Sequence, residues 1–353
     1  MEKKLKKLSV LTVVLIALSI FTYIEDHRRG TGLALGSDFI AGFDVDKVAK
    51  LVIEELGDNN KSHKVSLLKE GESFVLEDYF AYPASNEKIN DLLYKIANIQ
   101  ITQKVSEKKS SHLEYDLTKK KSKIRVSGFD RTGSKTFDFY VGKKKKYNGS
   151  FIRFADKNPV YLSSNALYIS GEKDSYIETE LMNVEKKDFE GMSLISSGKK
   201  LSFEKIGSEI SYKSNNLTSV NLDEKSKEKL LDFVEGTQPI HFNDFKPIDF
   251  KDLADLKFDL KLELKSKNKM IYDLQFSKGK GDYYLKISSR LEDVPDKIVI
   301  SKDDDKKKLA GVEDLLKAQK EVNQFNLSNS RWIFKVDKTT YEDIENFLKD
   351  FKS

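Results

Sequence analysis

The stretch Val65-Ser66-Leu67-Leu68-Lys69-Glu70-Gly71-Glu72-Ser73-Phe74-Val75-Leu76 returns, 136 residues further along the chain, as Leu201-Ser202-Phe203-Glu204-Lys205-Ile206-Gly207-Ser208-Glu209-Ile210-Ser211-Tyr212. In the first copy Val65, Leu67, Phe74 and Leu76 alternate with polar residues around Glu70-Gly71. In the second, Leu201, Phe203, Ile210 and Tyr212 do the same around Ile206-Gly207. A period of two on either side of a glycine predicts a β-hairpin with one face turned to a core. Two such hairpins at a fixed offset predict a tandem duplication.

Further landmarks keep the same order. Ile89, Leu92-Leu93 and Ile96 form one helical face behind the cap candidate Ser85, and Leu230-Leu231 with Val234 form another behind Asp223. Phe137-Asp138-Phe139 is answered by Tyr272-Asp273-Leu274, Phe151-Ile152-Arg153-Phe154 by Tyr284-Leu285-Lys286-Ile287, and Val160-Tyr161-Leu162-Ser163 by Ile298-Val299-Ile300-Ser301. The offset drifts by a few residues in predicted turns, where insertions are tolerated. The expected fold class is therefore α+β, with two tandem homologous units of antiparallel sheet and packed helices over residues 44–184 and 185–301. Residues 302–353 are left as a helix-strand-helix extension, with a helix at Lys307–Lys320, a strand at Trp332–Val336 and a closing helix opened by a Thr339-x-x-Glu342 capping box. The stripe Tyr341, Ile344, Leu348 and Phe351 on that last helix reads as core.

At the amino terminus, Leu8 to Ile24 is the longest uncharged apolar run, and it follows Lys3, Lys4, Lys6 and Lys7. Leu8, Leu11, Val14, Leu18, Phe21 and Ile24 mark a membrane-spanning helix about 25 Å long, just under the ~30 Å of a hydrocarbon core. Ala17-Leu18-Ser19 offers a small-x-small cleavage site, but the apolar run continues past it, so the segment (residues 1–24 with its cytoplasmic tip) reads as a retained signal anchor. The lysines place the amino terminus in the cytoplasm and the body on the outer side of the membrane. Residues 25–43, with Gly30, Gly32, Gly36 and Gly42, read as a flexible tether.

Composition narrows the function classes. The chain has no cysteine, which excludes disulfides, thiolate metal sites and a cysteine nucleophile. Its formal charge of +5 falls to +2 once residues 1–29 are set aside, and 55 lysines stand against 7 arginines. That balance argues against phosphate or nucleic-acid recognition, where planar arginine is the preferred group.

The combination resembles the membrane-anchored bacterial proteins grouped as domain-of-unknown-function family 4340. The features shared are the apolar anchor, the Val48–Ile53 strand, the Val65–Leu76 hairpin, the Pro83–Ile89 helix entry, the Leu92–Val105 stretch and the Phe139–Leu162 strands. The likeness is strongest over residues 43–170, and Phe74 stands where such proteins commonly carry Trp. It implies an extracytoplasmic accessory role beside ABC-type export systems of the gliding-motility kind, with no activity, cofactor or catalytic residue to carry over.

No constellation names a reaction. Gly128 to Thr136 has the glycines of a phosphate loop, but Ser134 separates Gly133 from Lys135 and a strand follows, so a turn is expected. His27, His63, His112 and His241 lack ligand spacing, and no Gly-x-Ser-x-Gly elbow occurs. Asp138 and Asp273 occupy matching positions between large apolar neighbours. They read as water-facing strand residues, or as a carboxylate pair at the junction of the two units. Lys143, Lys144, Lys145, Lys146 and Tyr147 form a basic hairpin tip and, with Trp332, are the candidate surface or partner contacts. The expectation is a non-catalytic, membrane-tethered accessory or scaffold protein without cofactor or metal, partnered by the membrane and by proteins such as ABC transporter subunits. An envelope-polymer or lipid binding module is the alternative, and an enzyme with a dispersed site comes third.

Overall fold

The computed structural model describes residues 33–56, 62–145, 149–214, 219–292 and 306–351. The expected anchor, His27, Lys146, Tyr147 and the strand expected at Ile298–Ser301 lie outside them. Among the described residues no helix is long and apolar enough to cross a membrane. The chain divides into two compact units between Ile177 and Glu178.

The first unit holds β1 (Lys50–Leu56), β2 (Ser62–Glu70), β3 (Ser73–Leu76), β4 (Tyr82–Pro83), helix α1 (Asn86–Ala97), β5 (Ile101–Ser106), β6 (Ile124–Phe129), β7 (Lys135–Lys144), β8 (Ser150–Phe154) and β9 (Val160–Ser163). The second opens with β10 (Glu180–Met182), then β11 (Phe189–Ser196), β12 (Lys199–Ile206), β13 (Glu209–Ser214), β14 (Val220–Asn221), α2 (Glu224–Gly236), β15 (Ile240–His241) and β16 (Asp244–Pro247). It continues with β17 (Leu260–Ser266), β18 (Met270–Lys278), β19 (Tyr283–Leu291), α3 (Lys306–Asn329), β20 (Trp332–Val336) and α4 (Lys338–Asp350).

Each unit forms a nine-stranded antiparallel sheet, ordered β4-β3-β2-β1-β6-β7-β8-β9-β5 in the first and β14-β13-β12-β11-β17-β18-β19-β20-β16 in the second. Position by position the two orders correspond, with α1 and α2 at the same point of the chain path. The two glycine-turn hairpins pair as expected, Leu67 with Leu76 and Phe203 with Tyr212. Gly71 and Gly207 sit at their turns with φ of +62° and +66°, a left-handed conformation that costs glycine least. Ser85 and Asp223 cap the helices, their side chains accepting from the amides of Lys88 and Ser226.

One face of each sheet is apolar. Leu51, Ile53, Leu67, Val126 and Phe139 lie under Ile89, Leu92, Leu93 and Ile96 of α1 in the first unit. Leu194, Phe203, Leu262, Leu274 and Phe276 lie in the core of the second, with Leu230 and Val234 of α2 and Ile344, Phe347 and Leu348 of α4. Each of these large side chains contributes about 1.5–3 kcal/mol by leaving water.

Three expectations need correction. Trp332–Val336 is not part of an extension: β20 pairs with both β16 and β19 and so completes the second sheet, in the place β9 holds in the first. Partner choice between strands is set by tertiary packing, which local alternation does not encode. The unit boundary lies at 177/178 and not at 184/185, because Glu180 and Met182 pair with His241 and Ile240. The last helix starts at Lys338 behind Asp337, so Thr339 lies inside it and the capping box does not form.

Candidate functional site

The first unit holds a cleft of about 610 Å³ between α1, the ends of β1, β6 and β7, and the segment 164–177 that follows β9. Helix α1 turns Leu92 inward and sets Lys88, Asp91 and Lys95 along the cleft, because residues three and four apart share a helix face. Ile124 and Val141 from the sheet, with Leu167, Ile169 and Tyr176, make an apolar floor, while Glu55, Lys123 and Lys144 stand at the strand ends.

The 164–177 segment is strapped down by polar contacts. Glu55 Oε2 accepts from the Gly171 amide at 2.6 Å and from Ser170 Oγ at 3.0 Å. Tyr176 donates its hydroxyl to the Ser170 carbonyl at 2.5 Å, and burial pushes its pKa up. Lys88 Nζ donates to the Ile177 carbonyl at 2.5 Å, and the Ser85 amide to the Tyr176 carbonyl at 2.8 Å. Gly171 is required here, since a Cβ would come within 2.7 Å of Glu55 Cβ and 2.8 Å of the His63 carbonyl. Asp91 is paired with Lys95 at 2.6 Å. At the mouth, Lys144 Nζ lies 3.5 Å from the centroid of the Tyr168 ring, a cation–π contact on an aromatic that is 71 % exposed.

The basic hairpin tip is therefore partly drawn into this site. Lys143 lies over Tyr115 at 5.7 Å and Lys145 is exposed. Trp332 is only 5 % exposed and packs edge-on against Phe245, which makes it core and not a contact residue.

On the opposite face of the first sheet, Asp138 accepts from Arg125 Nε at 2.9 Å and Nη2 at 2.8 Å, from Lys135 Nζ at 2.7 Å and from Ser127 Oγ at 3.1 Å. Burial raises its pKa, but the hydrogen bonds from Arg125, Lys135 and Ser127 and the guanidinium charge outweigh it, and the net direction is down. Asp273 in β18 is placed differently. It faces Glu263 directly across the β17–β18 ladder, and Arg290 bridges the two, at 3.0 Å from Asp273 and 2.9 Å from Glu263. Burial, only partly offset by Arg290, and the neighbouring carboxylate hold its pKa up. Each of the two carboxylates thus meets an arginine of its own unit.

The remaining titratable candidates are structural. His112 is buried, its pKa lowered by desolvation, with Nε2 at 2.8 Å from the Asn158 carbonyl. Arg153 is buried and donates to the carbonyls of Leu117, Phe154, Ala155 and Lys157. Gly128 to Thr136 is a turn, in which Asp130 accepts from the Thr132 and Ser134 amides. Among the described residues no group of three or more His, Asp or Glu could hold a metal ion.

Sequence reading missed Glu55, Lys88, Lys123 and Tyr168. Only the exposed Tyr168, set between Leu167 and Ile169 beyond the last strand, offered a local signal.

No curated protein and no solved structure matches the chain. A family model does, over residues 75–257, a span that runs from β3 through β16 and covers just over half of the sequence. By that match the chain belongs to the family described as Domain of unknown function (DUF4340).

Proposed function

We propose that the protein is a non-catalytic, membrane-tethered accessory or scaffold subunit, its two sheet units arising from one tandem duplication and working outside the cytoplasmic membrane beside an ABC-type export or surface-assembly system. The observation that carries this reading is the use made of the charges. Asp138 and Asp273, the carboxylates at corresponding strand positions, are engaged by Arg125 and Arg290 across neighbouring strands, so they are paired within their sheets and not poised in a dry cleft. The apolar run Leu8–Ile24 behind four lysines supports the tether. Removing Leu8–Ile24 while keeping export through a cleavable signal should abolish activity in cells although the body folds. Asp138→Asn, Asp273→Asn and His241→Ala should leave it intact. Loss of function from one of these conservative changes, with folding and membrane location unaltered, would contradict the proposal.

The cleft of the first unit favours a second reading, a module that binds an envelope component, and the two readings are compatible if ligand binding informs a scaffold.

A further inference from the structure

We infer that the cleft of the first unit is a binding site for an amphiphilic anion, a carboxylate or phosphate monoester joined to an apolar body. This inference rests on the binding reading above and not on the tether. Its floor of Leu92, Ile124, Val141 and Ile169 suits a hydrocarbon or aryl group, and its volume of about 610 Å³ lies within the range of small-molecule sites. Its rim holds Lys88, Lys95, Lys123 and Lys144 against Glu55 and Asp91. Asp91 is taken by Lys95 and Glu55 by the Ser170-Gly171 strap, which leaves Lys123 and Lys144 to set the sign of the mouth. The shortage of arginine argues against a bidentate phosphate clamp or a nucleic-acid backbone, whereas a pair of lysines meets a single anionic head, carboxylate or phosphate, as compact point charges.

The second unit supplies an internal control. Lys95 corresponds to Phe233 by the same 138-residue offset that relates Leu92-Leu93 to Leu230-Leu231. Val141 corresponds to Phe276, since Phe139 and Leu274 hold equivalent places opposite Val126 and Leu262. In the second unit α4 covers both positions, with Phe347 stacked on Phe233 at 3.9 Å and Tyr341 against Phe276 at 6.5 Å. The same framework is thus plugged by aromatic side chains in one unit and left open, with a basic rim, in the other.

The test is hydrogen–deuterium exchange on the full chain in a neutral maltoside detergent, with octyl phosphate as probe and octanol, inorganic phosphate and a hexaglutamate peptide as comparisons. Octyl phosphate should slow exchange in residues 86–97 and 164–177 and leave 224–236 unchanged, and the Lys123→Gln/Lys144→Gln pair should weaken the effect about tenfold. Equal protection by octanol or by inorganic phosphate would overturn the amphiphile, and protection by the peptide alone would assign the cleft to an acidic partner protein. Undiminished protection in the double variant would overturn the role of the lysines. In nanodiscs of neutral lipid, the same protection on adding anionic lipid identifies a membrane lipid as the source, whereas protection by octyl phosphate alone identifies a free anion. Because the anchor is intact throughout, failure here leaves the scaffold reading standing, and failure of the anchor deletion leaves the cleft standing.

Discussion

The two sheets follow one strand order and differ in what lies on them. In the second unit the apolar face is covered by α2 and α4, whose Phe233, Phe347 and Phe351 join Phe203 and Tyr212 in one aromatic cluster. Among the described residues of the first unit α1 has no helical neighbour of that kind, and a strap held by hydrogen bonds stands in its place, beside a cleft. The opposite faces differ too. Both carry an arginine–carboxylate pair, Arg125 with Asp138 and Arg290 with Asp273, but in the first unit Tyr115 and Leu117 also pack there on Tyr140, Phe151, Val160 and Leu162. A fold repeated in one chain can therefore keep its hydrogen-bonded frame while one copy is packed for stability and the other keeps room for a ligand.

The largest effect should come from the cluster itself. Phe347→Ala removes a buried ring stacked at 3.9 Å and should destabilise the second unit by about 3–5 kcal/mol, read by chemical denaturation. Lys95→Ala, at the corresponding helix position, should change stability by no more than about 0.5 kcal/mol. Similar costs for the two would break the comparison.

Next, Asn326 on α3 grips the edge of β19, accepting from the Ser289 amide at 2.7 Å and donating to its carbonyl at 2.8 Å. Asn326→Ala leaves both backbone groups unsatisfied and should cost about 1–3 kcal/mol, with faster amide exchange at Ser289. Among its described residues the first unit has no such clamp, because β8 leads straight to β9 through a short turn.

These elements also show what the sequence made legible. The hairpins, the caps at Ser85 and Asp223 and the apolar stripe of α4 are local patterns, and alternation or helical period exposes them. The place of Trp332–Val336 was not legible, since its apolar residues suit any interior strand and its partners in β16 and β19 lie 85–91 and 49–53 residues away in sequence. Four strands of two or three residues, β4, β10, β14 and β15, are too short to carry a period. The cleft was hidden for a different reason: Glu55, Lys88, Lys123 and Tyr168 come from four elements, and only the register brings them together.

A subtler difference concerns the carboxylates. Asp138 has a lowered pKa when folded, so the stability it adds is present above the unfolded value near 4 and is lost as pH falls through its folded value. Asp273 has a raised pKa, so any stability tied to it is present at low pH and is lost as pH rises through the folded value. At neutral pH Asp138→Asn should therefore cost about 1–2 kcal/mol, while Asp273→Asn should be near neutral or slightly stabilising. Stability curves of both variants between pH 3 and pH 7 check the signs, and matching slopes would show that the two positions are electrostatically alike.

The most direct test of the open and filled units is amide hydrogen exchange on the unliganded full chain, comparing residues 164–177 with α4. The strap depends on a few hydrogen bonds and α4 on a buried aromatic cluster, so the strap should open locally and exchange faster, on the order of a hundredfold. Equal protection of the two segments would show that the first unit is as tightly covered as the second, and would contradict the account.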